Sequence, residues 1–278
     1  MRLGGPVAAK AGDVEGWVAL QRAWGFSAAY CPVGADAGDD LVKAYREAAG
    51  RAGIVIAEVG AWSNPISRDE AERKKAVGHC QRQLALAERI GAHCCVNIAG
   101  SRGAKWDGPD EANYAKATFD LIVQTVREII DAVKPAHAAY SLETMPWIAP
   151  DSPDSYLALI KAIDRKSFAV HLDVVNIINS PERFYHNGAL IRECFAKLGP
   201  WLRGCHGKDI VLADRLTVHL DEARPGMGRL DYPTLLREIE KIGPQTPLML
   251  EHLASDSEYA AAAEFVRKTA AAIGVKIV

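Results

Sequence analysis

The sequence lacks several features that would place it in common functional classes. No stretch of apolar residues approaches the length of a membrane-spanning helix. The start of the chain, MRLGGPVAAK, has no uninterrupted apolar segment of the kind that a secretion signal requires. The six cysteines include no C-x-x-C pair, which is the spacing typical of zinc or redox sites. We therefore expect a reduced, cytoplasmic protein whose cysteines are small core residues.

An excess of charge of one sign is also lacking. The 278 residues include 33 Lys and Arg against 35 Asp and Glu, and the two signs are mixed along the chain. Partners such as nucleic acids and membrane surfaces usually require a basic excess, so the composition predicts neither. Hydrophobic residues make up 49% of the chain, which is enough for one large core in a single domain. The sequence does not decide between a homo-oligomer and a hetero-oligomer.

What the sequence does contain is a regular alternation of short apolar runs with longer segments of helical period. This alternation is typical of repeated βα units around a parallel sheet. Several of the runs are apolar on both faces, as buried parallel strands are. The predicted strands are Arg2–Val7, Ser27–Val33, Ile54–Trp62, His93–Ala99, Ala138–Met145, Phe168–Val175, Leu202–Ile210 and Leu248–Leu253.

These units predict one (β/α)8 TIM barrel that spans residues 1–278. A doubly wound open sheet is the competing architecture, but it normally carries a glycine-rich turn after its first strand. The segment Gly4–Pro6 does not have that pattern. One connection, roughly residues 211–231, is enlarged and includes an apolar stretch, Leu216–Leu220, that we expect to form a short extra strand. Enlarged βα loops lie on the face of a barrel where active sites are built.

Four polar residues stand at the ends of successive predicted strands, among apolar neighbours. They are Glu143 in AAYSLETMPW, Asp173 in FAVHLDVVN, His206 in RGCHGKDI and Glu251 in PLMLEHL. One such residue usually has a structural partner, but three carboxylates in one barrel mouth would repel each other and lose hydration. A divalent cation removes that penalty. Three oxygens and one imidazole suit Mn²⁺, Co²⁺ or Mg²⁺, and they suit Zn²⁺ less well. We therefore expect one divalent ion, and Mn²⁺ is the leading candidate.

These strand ends, with HGKD at His206–Asp209 and PGMGRLDYP at Pro225–Pro233, resemble the xylose-isomerase-like TIM barrels over essentially the whole chain. That superfamily includes sugar phosphate isomerases and epimerases, ketose 3-epimerases and inosose dehydratase. The resemblance implies that Glu143 and Glu251 bind the metal and also move protons on opposite faces of a sugar. The implied isomerase or epimerase removes a proton next to a carbonyl group and passes through an enediolate.

The chain departs from the family pattern at one position. Relatives often have a histidine three residues after the sixth-strand aspartate, where this chain has Asn176. An amide can bind a substrate hydroxyl but is neither acid nor base near neutral pH. The departure keeps open a lyase or dehydratase that eliminates water or an aglycone from a 3-keto sugar, keto-inositol or 3-oxo-glycoside. A remote alternative, a phosphodiesterase like the apurinic-site endonucleases, needs extra histidines where this chain has Trp62, Asn97 and Asn176.

Further residues near the strand ends are candidates for binding a sugar or a sugar-derived ketone. Lys208 is placed to hold a substrate oxygen, and an ion pair with Asp209 is the alternative. Trp62 and Trp147 follow the third and fifth strands, where they would stack on a sugar ring or pack in the core. Arg224 is a candidate for clamping a phosphate or carboxylate, with a solvated turn as the alternative.

Two histidines beside the predicted ligands are expected to have no direct role. His171 lies near Asp173 on the sixth strand, and His252 follows Glu251. Because neighbouring side chains of a strand point to opposite faces, we expect both histidines to pack between the barrel and the helices.

Overall fold

The computed structural model describes residues 1–278 and shows a closed barrel of eight parallel strands. The barrel strands are β1 (Arg2–Gly5), β2 (Ala28–Tyr30), β3 (Val55–Gly60), β4 (Cys94–Asn97), β5 (Ala139–Glu143), β6 (Phe168–Leu172), β7 (Leu202–Gly207) and β10 (Pro247–Leu250). Two short strands, β8 (Asp209–Leu212) and β9 (Leu220–Ala223), come between β7 and β10 in the chain. Because β10 pairs with both β7 and β1, the barrel has no free edge. The predicted TIM barrel is confirmed.

The helices surround the barrel and form one domain with it. They are α1 (Val14–Ala23), α2 (Asp39–Ala52), α3 (Glu70–Ile90), α4 (Lys116–Val133), α5 (Pro153–Ile163), α6 (Pro181–Tyr185), α7 (Asn187–Leu198), α8 (Tyr232–Ile242) and α9 (Asp256–Ala272). Asp69 begins α3 by accepting a hydrogen bond from the backbone N–H of Glu72, and Gly91 ends it with a φ of 77°. None of the helices combines the length and the apolar character needed to cross a membrane.

A core cluster of 64 buried residues joins the barrel to its helices. All six cysteines are free; five are buried and Cys31 is half-buried. This placement agrees with the expectation that they are small core residues. Charged side chains are nearly absent from the core, and those that are buried gather at one end of the barrel.

Each predicted strand is present, but all eight end two or three residues earlier than predicted. The sixth, for example, was expected to run to Val175 and ends at Leu172. The reason is local: the Oδ1 of Asp173 accepts hydrogen bonds from the backbone N–H groups of Val175 and Asn176, which turns the chain into a short 3-10 helix. The apolar residues beyond the strand, Val174 and Val175, therefore belong to this turn and the 3-10 helix rather than to the sheet.

The enlarged connection after β7 forms an antiparallel hairpin of β8 and β9. The predicted extra strand over Leu216–Leu220 is wrong in position, because β9 begins at Leu220 and pairs that residue with Leu212. This register puts the intervening residues in the hairpin turn, where Leu216 is 99% exposed. An apolar run without a partner strand does not form a strand by itself.

Asp209 anchors this connection to the barrel. Its buried carboxylate accepts hydrogen bonds from the backbone N–H groups of Ile210, Gly226, Gly228 and Leu230, at 2.8, 2.9, 3.0 and 2.8 Å. A Cβ atom at position 228 would collide with this carboxylate, so glycine is required there. The HGKD and PGMG segments of the sequence are therefore two halves of one structural unit.

We predict that Asp209→Asn destabilises the barrel. The amide puts an N–H₂ donor in place of one carboxylate oxygen, so two partly buried backbone N–H groups, those of Gly226 and Gly228, lose their acceptor. Each loss costs about 1–3 kcal/mol, and we expect the free energy of unfolding to fall by roughly 2–5 kcal/mol in urea denaturation. The matched control is Asp221→Asn on the exposed face of β9, which should change little. Equal stability of the two variants would contradict the anchoring role.

Candidate functional site

The four predicted metal ligands meet at the carboxyl end of the barrel. Glu143 is the last residue of β5, Asp173 and Glu251 directly follow β6 and β10, and His206 lies in β7. One potential ligand atom from each lies within 4.8 Å of the others. Glu143, Asp173 and His206 are buried, and Glu251 is half-buried. The parallel strands therefore bring these side chains, which are far apart in sequence, into one cluster that has the composition of a metal site.

Lys208 lies within this cluster. Its Nζ is 2.8 Å from Oδ2 of Asp173, 2.6 Å from Oε1 of Glu251 and 3.8 Å from Oε1 of Glu143. Burial alone would lower the pKa of Lys208, but Asp173, Glu143 and Glu251 outweigh it and raise the pKa above its ordinary value. The ammonium group therefore stays charged, and Asp209 is not its partner.

The charges of the cluster do not balance without a further cation. Glu143, Asp173 and Glu251 face Lys208 and His206, so one negative charge is left over when His206 is protonated and two when it is neutral, as it must be to bind a metal. The buried Oδ2 of Asp173 also lacks a well-directed hydrogen bond, although the Lys208 ammonium is 2.8 Å away. This leftover negative charge and the carboxylate oxygen of Asp173 fit one divalent ion.

His206 is oriented by a carboxylate below it in the barrel. Its Nδ1 faces Oε1 of Glu143 at 3.1 Å and Oε1 of Glu251 at 2.8 Å, while its Nε2 is 3.4 Å from Oε1 of Glu58. Burial opposes the charged form of His206, but these three glutamates outweigh it and hold its pKa well above the ordinary value. Since Glu58 accepts from Nε2, Nδ1 is left for the metal cluster.

Glu58 is itself paired with a second histidine. Its Oε2 lies 2.7 Å from Nε2 of His171, and the two imidazole rings of His171 and His206 are 4.2 Å apart. Burial raises the pKa of Glu58, but His171 and His206 outweigh that effect and lower it to about 2. The Glu58–His171 pair forms a polar layer directly beneath the cluster.

The expected positions of His171 and His252 are wrong. His171 points into the barrel because it precedes Asp173 by two residues, and alternate residues of a strand share a face. His252 is 60% exposed at the mouth, where its Nδ1 is 3.2 Å from Oε2 of Glu222. It lies beyond the end of β10 with a φ of 57°, so strand alternation does not apply to it.

Glu58 was missed by the sequence analysis. A signal was present, because Glu58 is the one charged residue of the apolar segment VIAEVG that became β3. Glu58 lies in the middle of the strand, so the pattern of polar residues at strand ends does not include it.

Asn176 sits beside Glu143 rather than free in the mouth. Its Nδ2 donates to Oε1 of Glu143 and to the backbone oxygen of Thr144, both at 3.1 Å. The side chain still lines the cavity above the cluster. Arg224, in contrast, is not brought to this cavity: its Nε is 2.8 Å from Oε2 of Glu258.

The cavity above the cluster has a volume of about 730 Å³. Glu143, Lys208 and Glu251 lie at its polar end. Both predicted tryptophans line it: the ring of Trp62 is 6.5 Å from that of His206, and the Nε1 of Trp147 donates to the backbone oxygen of Asp107 at 2.9 Å. The size and the mixture of a few polar groups with aromatic walls are typical of a small-molecule site.

Known proteins with this architecture include enzymes that act on small molecules. Over 148 residues the chain is 25% identical to a 3-dehydroshikimate dehydratase from Bacillus anthracis, a match that covers 53% of this chain and 48% of the relative. The chain thus aligns with about half the length of that relative, and the likeness concerns this part alone.

Two solved structures show the same fold over nearly the whole length. A xylose isomerase-like TIM barrel protein from Mycobacterium smegmatis, in complex with magnesium, is 19% identical with a TM-score of 0.67, covering 98% of this chain and 96% of that one. A D-psicose 3-epimerase is 17% identical with a TM-score of 0.68, covering 99% and 100%. The sequence model of one family matches residues 18–269. The chain therefore belongs to the xylose isomerase-like TIM barrels.

Proposed function

We propose that the protein is a divalent-metal-dependent sugar isomerase or epimerase that removes a proton next to a carbonyl group. The observation that carries this proposal is the meeting of Glu143, Asp173, His206 and Glu251 around Lys208, at the polar end of a cavity that is large enough for a sugar. The family and its solved members include epimerases and a dehydratase, which supports an enzyme of this broad class.

These four residues would hold a divalent ion, with Mn²⁺ as the first choice, and its Lewis acidity would make the C–H group beside the carbonyl more acidic. Glu143 and Glu251 are the groups that move the proton. They stand on β5 and β10, which are separated in the barrel by β6 and β7. They therefore approach a substrate from different directions, and one can take a proton while the other returns one to the opposite face.

Asn176 and Lys208 support this chemistry without moving protons. Asn176 donates to Glu143 and so keeps one carboxylate oxygen of the base in a fixed position. The Lys208 ammonium is placed to stabilise negative charge on a substrate oxygen as the enediolate forms. Trp62 and Trp147 are proposed to contact the substrate from the cavity walls.

The second candidate is elimination of a leaving group β to the carbonyl, as in a dehydratase or another lyase. It starts with the same proton removal, so the same base serves both reactions. Two observations favour it: Asn176 cannot return a proton near neutral pH, and a dehydratase is among the relatives. The substrates would be a 3-keto sugar, keto-inositol or 3-oxo-glycoside.

We propose a small sugar-derived ketone as the substrate and no nucleic-acid partner, in a cytoplasmic protein. The phosphodiesterase alternative requires additional metal-binding histidines. At one of those positions this chain has Asn97, whose side chain makes hydrogen bonds to residues outside the cluster. Its Oδ1 accepts from the backbone N–H of Ser63 at 3.1 Å, and its Nδ2 is 3.3 Å from Sγ of Cys80. These contacts support a structural role for Asn97 at the end of β4.

Removal of the metal should abolish turnover, and Mn²⁺ or Co²⁺ should restore it. We expect Asp173→Ala and His206→Ala each to weaken Mn²⁺ binding by at least about tenfold, since even changes behind the ligands cost that much. Titration calorimetry measures the affinity, and thermal unfolding verifies that the barrel is intact. Glu222→Gln is the control, because Glu222 neighbours Lys208 but lies outside the cluster. Full turnover by metal-free protein would contradict the proposed metal dependence.

Glu143→Gln and Glu251→Gln should retain Mn²⁺ but lower turnover by roughly 10² to 10⁴, which is the usual contribution of a positioned acid or base. The assay is deuterium incorporation from D₂O into a panel of ketoses and 3-oxo-glycosides. For an epimerase, one variant exchanges the proton without inverting the carbon. For a lyase, only the variant without the first base loses exchange. Wild-type rates in both variants would remove the glutamates from the mechanism.

Glu58→Gln should weaken Mn²⁺ binding by about 10- to 100-fold while the barrel stays folded. The amide keeps the size of the side chain but lacks the charge that orients the Nε2 proton of His206. Calorimetric titration of the variant against wild type measures this loss, again with Glu222→Gln as the control. An unchanged Mn²⁺ affinity would show that Glu58 has only a structural role inside the barrel.

A further inference from the structure

The cavity is larger than the proposed chemistry requires. A hexose of about twelve non-hydrogen atoms takes at most roughly half of the volume of about 730 Å³, since one water molecule occupies about 30 Å³. The groups proposed for proton transfer lie at one end, where the sugar carbonyl must be. The other part of the cavity is therefore free for a substituent carried by the sugar.

Tryptophan side chains form a large share of the cavity wall. Trp62, Trp106 and Trp147 all line the cavity, although the whole chain has only six tryptophans. Trp62 and Trp106 are 43% and 41% exposed, so packing in the core does not account for them. The same two side chains also border a neighbouring cavity of about 610 Å³, which leaves them open on two sides. Large exposed aromatic side chains around one concavity are typical of a ligand site.

The third tryptophan is held in place. Its indole N–H is used by the backbone oxygen of Asp107, in the loop that also carries Trp106. The Trp147 ring therefore has no donor left for a sugar hydroxyl and presents apolar surface. Met145 and Ile98 add further apolar surface to the same cavity.

The charges around the cavity do not suit a phosphate group. No arginine lines it. Of its two lysines, Lys208 is buried among carboxylates, and Lys105 is paired with Asp107 at 3.1 Å. The acids Glu143, Glu222 and Glu251 add repulsion for an anion. An uncharged substituent is the better complement.

We propose that the substrate is an unphosphorylated sugar ketone that carries a planar aromatic aglycone, and that Trp62, Trp106 and Trp147 form the subsite for this aglycone. The proposal rests on the proposed function for the position of the sugar carbonyl. The aglycone stacks against the indole rings, and the sugar ring points towards Lys208 and the metal cluster. Stacking on tryptophan selects flat, apolar groups and tolerates differences in their substituents.

The test compares binding of stable probes that cannot react. Both anomers of 4-nitrophenyl D-glucopyranoside, methyl D-glucopyranoside and glucose 6-phosphate are titrated into the Mn²⁺-loaded protein by calorimetry. We expect at least one aryl anomer to bind roughly tenfold tighter than its methyl counterpart, from one or two aromatic contacts. Trp62→Ala and Trp106→Ala should each remove most of this preference. Tyr185→Ala, which truncates an exposed aromatic residue outside the cavity, should keep it.

Several outcomes overturn the proposal: equal binding of aryl and methyl glycosides, no binding of either aryl anomer at millimolar concentration, tighter binding of the phosphate, or a preference that survives both tryptophan substitutions. Failure of the proposed function gives a different pattern, in which no ketone exchanges its proton with D₂O although the tryptophan-dependent aryl preference is present. Exchange on free ketoses without aryl preference would overturn the subsite alone.

Discussion

Burying several carboxylates together is the constraint on which the rest of the structure depends. Glu143, Asp173 and Glu251 lie close to one another where water is scarce, and an uncompensated charge in such a place costs several kcal/mol. Lys208 compensates one of the three charges from within the cluster. Beneath it, the Glu58–His171 pair holds His206 so that one ring nitrogen faces the carboxylates. The barrel places these groups on separate strands, so each one is fixed by a different part of the sheet.

The same constraint divides the cavity into two chemically different parts. The carboxylates whose charge must be compensated lie at the ends of the barrel strands. The connections that follow β3, β4 and β5 contribute Trp62, Trp106 and Trp147. A substrate in the cavity would contact the tryptophan side chains as well as the charged groups. Exclusion of water by the aromatic part strengthens every electrostatic interaction at the polar part. The residues proposed for recognition and those proposed for chemistry therefore come mostly from different segments of the chain.

Much of this arrangement could be predicted from the sequence. Strand–helix alternation and charged residues at four strand ends predict the barrel and the cluster, because parallel strands must bring their carboxyl ends to one face. Glu58 and Trp106 could not be found in this way. Glu58 depends on which mid-strand residue points inward next to His206, and Trp106 lies in a loop without periodicity. Arg224 shows the opposite case, since a partner on α9, Glu258, draws it away from the site.

The anchoring of the β8–β9 hairpin by Asp209 has a consequence for how this barrel tolerates change. The carboxylate ties down the chain at the start of the hairpin and again after it, so the exposed tip at residues 214–218, with Leu216 99% exposed, lies apart from these contacts. Insertions are accepted most readily at exposed loop tips whose flanking backbone is held independently. The hairpin tip is thus a natural place to graft a foreign peptide, or for a lineage to acquire a new segment, without disturbing the buried cluster at the end of the barrel.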